Sequence, residues 1–556
     1  MQQSQLRDLY IIVIAVMAVL AYQQWFRADD QALASKALND AMVSTVSPSQ
    51  LIEGYPEKLI EVETDVFQVF INPVGGEIVD VKLLKFEKNL GQNDSVEVLY
   101  TADNNNYIAA AGIGGVNGSK GDRLRTYSAS ETYYKMGPDG RLIIELTNSG
   151  DDDIVTQKRY HFVAGSYAIG VETEFINQSD QVWEGRAYEE IRSIQVLPKE
   201  VKPANYWPGN VSESDKGSGV VGMKTYAGAS FGSEINRYKK LPYADIQAGS
   251  KYNNDVIDWV AIQQKYFLTA WIPSFVHNGE SYLYTYWINN SVSLDHLNQQ
   301  IEQGFRVGAQ SRLLRIEPDH DYTARATLYV GPEDMASLKQ IFSGLELTVD
   351  YGWLWLISQK IFLLLEVIHD YIPNWGLSII TITVLIKLLF YKLSSSSYRS
   401  MARLKELKPR LDDIQERYKD DAMAKNQAMV ELYRNEKVNP LGGCLPMLIQ
   451  IPIFMSLYFV LIEAIQLRHA DFLWITDLST YDPLFILPVL MGASMYLQQR
   501  MSPQPSDPVQ AKMMMVFPVV LSAMFAYLPS GLVLYWFVNN VLSLVQQYVV
   551  TRQVED

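Results

Sequence analysis

The most unusual chemical feature of the sequence is a lysine, Lys387, inside an apolar stretch of bilayer length. Residues 374–393 read NWGLSIITITVLIKLLFYKL, and a run of about 20 mostly apolar residues predicts a membrane-spanning helix. A lysine near the middle of such a helix costs roughly 2.5–3.5 kcal/mol unless its ammonium group faces water, protein or a bound partner. Lys387 is therefore a candidate for a fixed positive charge that attracts anionic groups within the membrane.

Two interpretations of Lys387 remain open from the local sequence. Its aliphatic stem can carry the charge to the lipid headgroups, because the residue lies close to the expected cytoplasmic end of the helix. Alternatively, Thr383 and Lys387 form an i, i+4 pair on one helical face, and Ser378 and Thr381 precede them. Such a polar stripe within a span indicates a water-filled cavity.

No other residue pattern predicts catalysis, a cofactor or a metal. Six histidines are scattered without a pair at metal-ligand spacing, and the single cysteine is Cys444. The glycine-rich residues 112–121 (GIGGVNGSKG) lack phosphate-loop spacing and are predicted to be a mobile loop. The net charge of -15, without a basic arm, argues against direct nucleic-acid binding. The protein is not expected to be an enzyme.

The composition changes near residue 350 and divides the chain into two kinds of folding unit. Charged and polar residues dominate before this point, and long apolar runs dominate after it. An uncleaved transmembrane anchor is predicted over residues 9–26, and Arg7 places residues 1–8 in the cytoplasm. Residues 27–55 have no sustained apolar periodicity and are predicted to be a tether.

Residues 56–345 are predicted to form an all-β domain. Apolar and polar residues alternate over residues 167–175, which is the period of a sheet wetted on one side, and turn sequences separate such runs. A large antiparallel sandwich is expected. Its strand aromatics either pack in the core or form a sugar-stacking cleft. These aromatics are Tyr206, Trp207, Tyr282, Tyr284, Tyr286 and Trp287.

Residues 350–372 are predicted to form an amphipathic helix in the interface plane, rather than a span. Its polar residues Ser358, Gln359, Glu366, His369 and Asp370 fall on one side of a helical wheel. Topology supports this placement, because an additional span would move every later loop to the opposite side of the membrane. The following segment, residues 394–440, is rich in arginine and lysine and is expected in the cytoplasm.

The remaining chain, residues 374–551, is predicted to be a five-span helical core. The spans are expected at about residues 375–393, 443–466, 483–500, 511–527 and 532–550. Residues 394–440 are predicted to form a hairpin of two polar helices that projects into the cytoplasm. Residues 552–556 are predicted to form a cytoplasmic tail, so both termini are expected inside the cell.

Three motifs in this core resemble the family of YidC, mitochondrial oxidase assembly and chloroplast Albino insertases. They are NWGLSII at residues 374–380, KVNPLGGCLPMLIQIPIF at residues 437–454 and LPSGLVLYW at residues 528–536. The anchor followed by a large external domain is similar to the Gram-negative form of the family. The resemblance implies a multi-pass protein of the bacterial inner membrane with a periplasmic β-super-sandwich.

The resemblance also implies a function and a site. Members of the family insert nascent membrane proteins and help them fold, alone or with the Sec translocon, through a polar groove that carries a cation. The cation is usually arginine, and the matching position here is Lys387. Thr383 and Trp536 match groove positions as well. Weaker candidates are Gln450, Gln546 and Gln547.

The implied partners are nascent membrane proteins, the Sec translocon, membrane lipids and the ribosome. We expect the ribosome to contact the cytoplasmic hairpin and the loop at residues 500–512. Two other classes of protein remain open. One is an ion-coupled transporter that uses Lys387 as its ionisable site, although no inverted repeat is visible. The other is a membrane-tethered carbohydrate-binding protein.

Overall fold

The computed structural model describes residues 58–555 apart from short gaps, and it divides into two compact units. One unit extends to Val349, and the other begins at Asp350. The predicted anchor and tether lie outside the described residues, as do Tyr206 and Trp207. The gaps within the described range are residues 93, 103–104, 117–118, 120, 150–152, 199–225, 276–279, 296–297, 420, 437, 439–444 and 503–507.

The first unit is built almost entirely of β-strands. Its two short helices are α1 (Tyr243–Gln247) and α2 (Met335–Ile341). Its described strands are β1 (Ile60–Glu63), β2 (Phe67–Asn72), β3 (Glu77–Glu87), β4 (Ser95–Ala102), β5 (Asn105–Gly115), β6 (Tyr133–Lys135), β7 (Arg141–Ser149), β8 (Ile154–Val163), β9 (Ala168–Asn177), β10 (Trp183–Pro198), β11 (Gly228–Gly232), β12 (Lys239–Leu241), β13 (Val256–Ile257), β14 (Trp259–Gln263), β15 (Phe267–Phe275), β16 (Ser281–Asp295), β17 (Asn298–Gln310), β18 (Leu314–Ile316) and β19 (His320–Pro332).

These strands form two large sheets. The first has 11 strands in the order β13-β16-β17-β10-β5-β4-β3-β2-β1-β6, with β18 also paired to β10. The second has 8 strands in the order β12-β11-β14-β15-β19-β9-β8-β7. Among the described strands, neighbours pair antiparallel except for β1 and β6, which run parallel. The predicted antiparallel sandwich is therefore confirmed.

Alternating burial along the strands produces a shared core between the two sheets. In β9 every second residue is buried, as the sequence alternation predicts. Ile191 and Phe305 of the first sheet and Leu328 of the second are among the fully buried side chains. The Trp271 indole nitrogen of β15 donates to the Glu190 carbonyl of β10 at 3.0 Å, which satisfies its polar atom while the ring is buried.

The prediction of a mobile loop was wrong for residues 112–115. These residues are the end of β5 and pair with β10, with Gly112 opposite Tyr188. A Cβ atom on Gly112 would lie 2.3 Å from a carboxylate oxygen of Asp122. Glycine is required here because the Asp122 carboxylate packs directly against the strand and accepts the Ile113 amide at 2.9 Å.

The described residues of the second unit form helices joined by loops. Its α-helices are α3 (Trp355–Tyr371), α4 (Trp375–Leu389), α5 (Tyr391–Glu406), α6 (Lys408–Arg417), α7 (Ala422–Asn435), α8 (Leu445–Glu463), α9 (Ile486–Met501), α10 (Pro508–Phe525) and α11 (Ser530–Glu555). Three helices, α5 to α7, occupy the region where the sequence predicts two. Pro409 in the first turn of α6 has no amide hydrogen to continue the preceding helix, so a new helix begins there.

Helix α3 corresponds to the predicted interfacial helix. It buries Ser358, Phe362, Leu365 and Ile368, and it packs against α8. Within the described part of the chain, the helical segment Gly352–Tyr371 is the one that has the length and apolar character to cross a membrane unaided. Helices α4 and α5 have this length and apolar character when they are taken together, as a pair of helices with a bend between them. The interfacial placement of α3 stays a prediction.

Candidate functional site

Lys387 lies in the last turn of α4, a helix that is shorter than the bilayer core. With 15 residues, α4 is about 22 Å long, whereas the hydrocarbon core is about 30 Å thick. The chain then bends by 68° into α5. The rise from the N-cap residue Asn374 to Lys387 is about 20 Å. Lys387 is therefore far from the Asn374 end of the bundle and close to the bend.

The ammonium group of Lys387 is partly buried and hydrogen-bonded to the last helix. Its Nζ donates to Ser543 Oγ of α11 at 2.7 Å, and Ser543 Oγ in turn donates to the Asn539 carbonyl at 2.7 Å. Among the described residues, no carboxylate lies within ion-pair distance of Lys387. The positive charge of Lys387 is thus not neutralised by this part of the chain.

A small cavity of about 20 Å³ lies beside Lys387. It is lined on its polar side by Lys387, Ser394 and Gln450, and on its apolar side by Ile386, Phe390, Leu393 and Ile453. This volume accommodates about one water molecule. Occupancy by a polypeptide would therefore require α4 and α8, which supply the facing residues, to separate.

A stripe of buried polar residues on α11 extends this site. Gln546 Nε2 donates to the Tyr391 carbonyl and to Ser395 Oγ of α5, both at 3.0 Å. Asn540 Nδ2 donates to Ser494 Oγ of α9 at 3.2 Å. We define the Lys387 patch as Lys387, Ser394, Gln450, Ser543 and Gln546. The buried polar residues of the α11 stripe are Asn539, Asn540, Ser543, Gln546 and Gln547.

Only part of this stripe was predicted from the sequence. Gln546 and Gln547 were among the candidate residues, whereas Asn539, Asn540 and Ser543 were not. Their three-to-four-residue spacing places all of them on one face of α11, so a helical-wheel comparison of the last span contains the signal. Polar residues confined to one face of an apolar helix indicate a polar neighbour inside the bundle.

The structure places the other candidate residues at different points. Gln450 lines the cavity with Lys387 and donates to the Tyr535 hydroxyl. Thr383 is buried, and its hydroxyl donates to the Ile379 carbonyl at 2.6 Å within the same helix. Thr383 does not line the cavity. Gln450 is therefore the candidate that the structure brings to Lys387, although the sequence ranks it below Thr383.

Trp536 belongs to an aromatic cluster. Its ring packs edge-on against Phe454 of α8, with ring centroids 4.5 Å apart, and against Phe525 of α10 at 5.0 Å. Trp536 is seven positions before Ser543 and hence on the same face of α11, about 10 Å away along the axis. The cluster thus occupies the bundle between the Lys387 patch and the start of α11.

The end of the bundle away from Lys387 is closed by a network of loop hydrogen bonds. Asn374 caps α4 by accepting the Leu377 amide at 3.0 Å, and its side-chain amide donates to the Asp471 carbonyl at 3.3 Å. The amides of Ser530 and Gly531 donate to the carbonyls of Thr480 and Leu478 at 2.6 and 3.0 Å. These contacts join the starts of α4 and α11 to one loop. They give a physical reason for the sequence NWG at the start of α4 and PSG at the start of α11.

Gly376 is required at this closed end, and we expect Gly376→Ala to destabilise the helical unit. A Cβ atom there would lie 2.2 Å from the Phe472 ring. Overpacking costs about 1–3 kcal/mol, which exceeds the gain of about 1 kcal/mol from replacing glycine in a helix. Thermal unfolding of the detergent-purified chain measures the effect. Adding Phe472→Ala should recover part of the loss, and an unchanged midpoint for Gly376→Ala alone would contradict the close packing.

Together, the apolar helices, the unneutralised lysine between them and the separate β unit define a class of protein: a polytopic membrane protein with a large extramembrane β domain. Comparisons with known proteins identify the family. The model of the YidC periplasmic domain matches residues 59–364, and the model of the 60Kd inner membrane protein matches residues 367–556. The chain belongs to the YidC family of membrane protein insertases, as the sequence motifs predict.

Two individual relatives agree with this assignment. The chain is 37% identical to a membrane protein insertase YidC of Pseudomonas putida (strain GB-1) over 98% of both chains. It is 39% identical to one of Legionella pneumophila (strain Corby) over 90% of this chain and 85% of the relative. A solved structure of an active YidC insertase matches 90% of this chain and 96% of its own, at 17% identity and a TM-score of 0.38. The family is one of inner-membrane proteins with a periplasmic domain.

Proposed function

We propose that this protein inserts nascent membrane proteins into the bacterial inner membrane, and helps them fold, through the Lys387 patch. The observation that carries the proposal is the positive charge of Lys387. Its ammonium group donates a hydrogen bond to Ser543, but no described residue neutralises the charge. A cation in this environment attracts an acidic or polar flank of a substrate as the flank enters the membrane. The function requires no covalent step and no cofactor.

The proposed mechanism depends on the shortness of α4 and on the bend that follows it. Water admitted at the Lys387 patch would shorten the hydrocarbon path that a substrate's polar flank must cross. The apolar segment then moves sideways into lipid, because its burial there is favourable by about 0.8 kcal/mol per CH₂ group. For acidic flanks, the membrane potential adds about 2.3 kcal/mol per charge per 100 mV.

We place the bend and helices α5 to α7 on the cytoplasmic side, with the closed end facing the periplasm. The arginine and lysine content of residues 394–440 supports this orientation. Both termini are then cytoplasmic, and α3 lies in the periplasmic interface. Exposed apolar residues of α4, such as Leu385 and Leu388, face lipid in this arrangement.

Reconstitution tests the function directly. The purified chain in liposomes should insert a one-span substrate with an acidic tail, measured by protection of that tail from added protease. Protein-free liposomes provide the baseline. An ion-coupled transporter would instead give solute flux without increased protection, and that result would reject the insertase function. The Sec translocon is a proposed partner for larger substrates.

The ribosome is a proposed partner of α6 and α7. Helix α6 buries none of its residues, and Arg410 at its start pairs with Glu436 after α7 at 2.6 Å. Replacing residues 408–435 with a short flexible linker should therefore reduce cosedimentation with ribosome–nascent chain complexes at low salt. The replacement should leave the thermal unfolding midpoint of the rest of the protein unchanged. Equal cosedimentation of the two proteins would contradict this role.

A further inference from the structure

A second cavity, of about 170 Å³, lies in the β domain. Its floor is formed where β10, β17 and β16 run side by side. In an antiparallel sheet directly opposed residues share a face, and Arg192, Arg306 and Tyr286 form one such row across these strands. Glu190, Gly308 and Tyr284 form the next row. The cavity is therefore on the sheet face opposite the one on which Ile191 and Val307 are buried.

The arginines around this cavity outnumber its carboxylates. Arg192 pairs with Glu77 at 2.7 Å and with Glu190 at 3.0 Å, and Arg123 also pairs with Glu190. Two further arginines line the cavity, Arg186 and Arg306. Arg192 and Arg123 thus share two carboxylates, and Arg186 and Arg306 have no carboxylate of the described residues within ion-pair distance, which leaves an excess of positive charge.

Arg306 is the arginine of this group whose side chain has neither an ion pair nor a hydrogen bond with a described residue, although the more distant charge of Glu190 acts on it. Among the described residues no carboxylate lies within ion-pair distance of it, and its buried Nε has no hydrogen-bond partner. Arg186, by comparison, donates to the Ser311 carbonyl at 2.7 Å. Burial and the neighbouring charge of Arg123 lower the pKa of Arg306 to about 10. An anion beside Arg306 would offset both effects.

The remaining lining residues suit a small ring-bearing molecule. Tyr284 is fixed by its hydroxyl, which donates to Glu190 at 2.8 Å, and Tyr286 also lines the cavity. Asn253 is held by the amide and hydroxyl of Thr285, both at 2.9 Å from its side-chain oxygen. Aromatic faces, an amide and a guanidinium bind ring, hydroxyl and anionic groups respectively. The volume is below the range of about 300–1,000 Å³ typical of drug-sized ligands, so it fits about one sugar ring.

We propose that this cavity binds a small organic anion of single-sugar size, such as an acidic monosaccharide, with the anionic group paired to Arg306. The proposal concerns the β domain alone and does not depend on insertion. It also gives the aromatic residues Tyr284 and Tyr286 a role beside the charge, whereas a neutral sugar would leave the excess positive charge unmatched.

Calorimetric titration of the full chain in nanodiscs tests the proposal with three ligands of one shape. Galacturonate and galactose 6-phosphate carry different anionic groups, and galactose carries none. We expect at least one anionic sugar to bind about tenfold more tightly than galactose. The stronger of the two identifies a carboxylate or a phosphate ligand. Equal binding of all three sugars, or no binding of any, would overturn the proposal.

Two substitutions at the same position assign the effect to Arg306. Arg306→Gln should remove the preference for the anionic sugar, and Arg306→Lys should retain most of it. Arg315→Gln is the matched control, because Arg315 lies in β18 of the same sheet, is 69% exposed and pairs with Glu184. It should bind as the unaltered chain does. Thermal midpoints verify folding, and a preference that survives in folded Arg306→Gln would overturn the assignment.

Discussion

Replacing Lys387 with leucine is expected to reduce the insertion of substrates with acidic tails by at least about tenfold, because a hydrogen bond to a charged group contributes about 1.5–3 kcal/mol. The leucine side chain cannot attract an acidic flank to the Lys387 patch. Lys387→Arg should retain activity, since the charge persists, and Lys387→Glu should be more defective than leucine through repulsion. Protease protection in reconstituted liposomes provides the measurement.

Two controls separate this role from snorkelling. A neutral-tailed version of the same substrate should lose much less activity with Lys387→Leu. Lys392→Leu removes a nearby, exposed lysine of α5 and should have little effect on either substrate. If Lys387 only carries its charge to the headgroups, the leucine, arginine and glutamate variants should insert both substrates equally well at matched protein levels. That outcome would reject the proposed role of Lys387.

Replacing Lys158 with methionine is expected to destabilise the β domain by about 3–5 kcal/mol, the cost of breaking a buried ion pair. Lys158 Nζ lies 2.8 Å from an Asp122 carboxylate oxygen, and both side chains are 0% exposed. Lys158 also donates to the carbonyls of Gly75 and Ala111. Methionine replaces the aliphatic stem of lysine but has no ammonium group, so it leaves Asp122 as a buried charge without its ion-pair partner.

The control is a partly exposed pair in the same domain. Lys82 lies 3.4 Å from Glu97, and the two side chains are 31% and 29% exposed. Such pairs contribute about 0–1 kcal/mol, so Lys82→Met should change stability little. Urea unfolding followed by tryptophan fluorescence compares the two variants. Adding Asp122→Asn to Lys158→Met should recover part of the loss, and equal stabilities for the Lys158 and Lys82 variants would contradict a stabilising role of the buried ion pair.

The sequence predicts that one unit is built of β-strands and the other of helices, because strands and helices each leave a local periodicity in the sequence. Alternation along residues 167–175 identifies β9, and the apolar runs after residue 350 identify the helices. The order of the strands within the sheets could not be predicted in this way. Strand β10 pairs with β5 and β17 through positions such as Gly112 and Gln310, which lie on either side of Tyr188 in the first sheet. Such distant pairings leave no periodic trace in the sequence.

The candidate site was only partly predictable for a related reason. The apolar character of residues 374–393 gives no sign that α4 ends at Leu389 and that the chain then bends. Thr383 has the expected spacing from Lys387, but a threonine hydroxyl in a helix can bond the carbonyl four residues earlier, as Thr383 does with Ile379. Ser543 becomes recognisable as the partner of Lys387 only when α4 and α11 are packed together.

Site-specific photo-cross-linking tests most directly whether a substrate enters the membrane at the Lys387 patch. A photoreactive residue replaces Ile453, which lines the cavity beside Lys387. In a second protein it replaces Val519, which is 64% exposed on α10. Each protein is then presented with a ribosome-bound, stalled nascent membrane protein. We expect strong adducts from position 453 and few from position 519. Insertion that proceeds with no adduct at position 453, or with equal adducts at both positions, would contradict entry at the Lys387 patch.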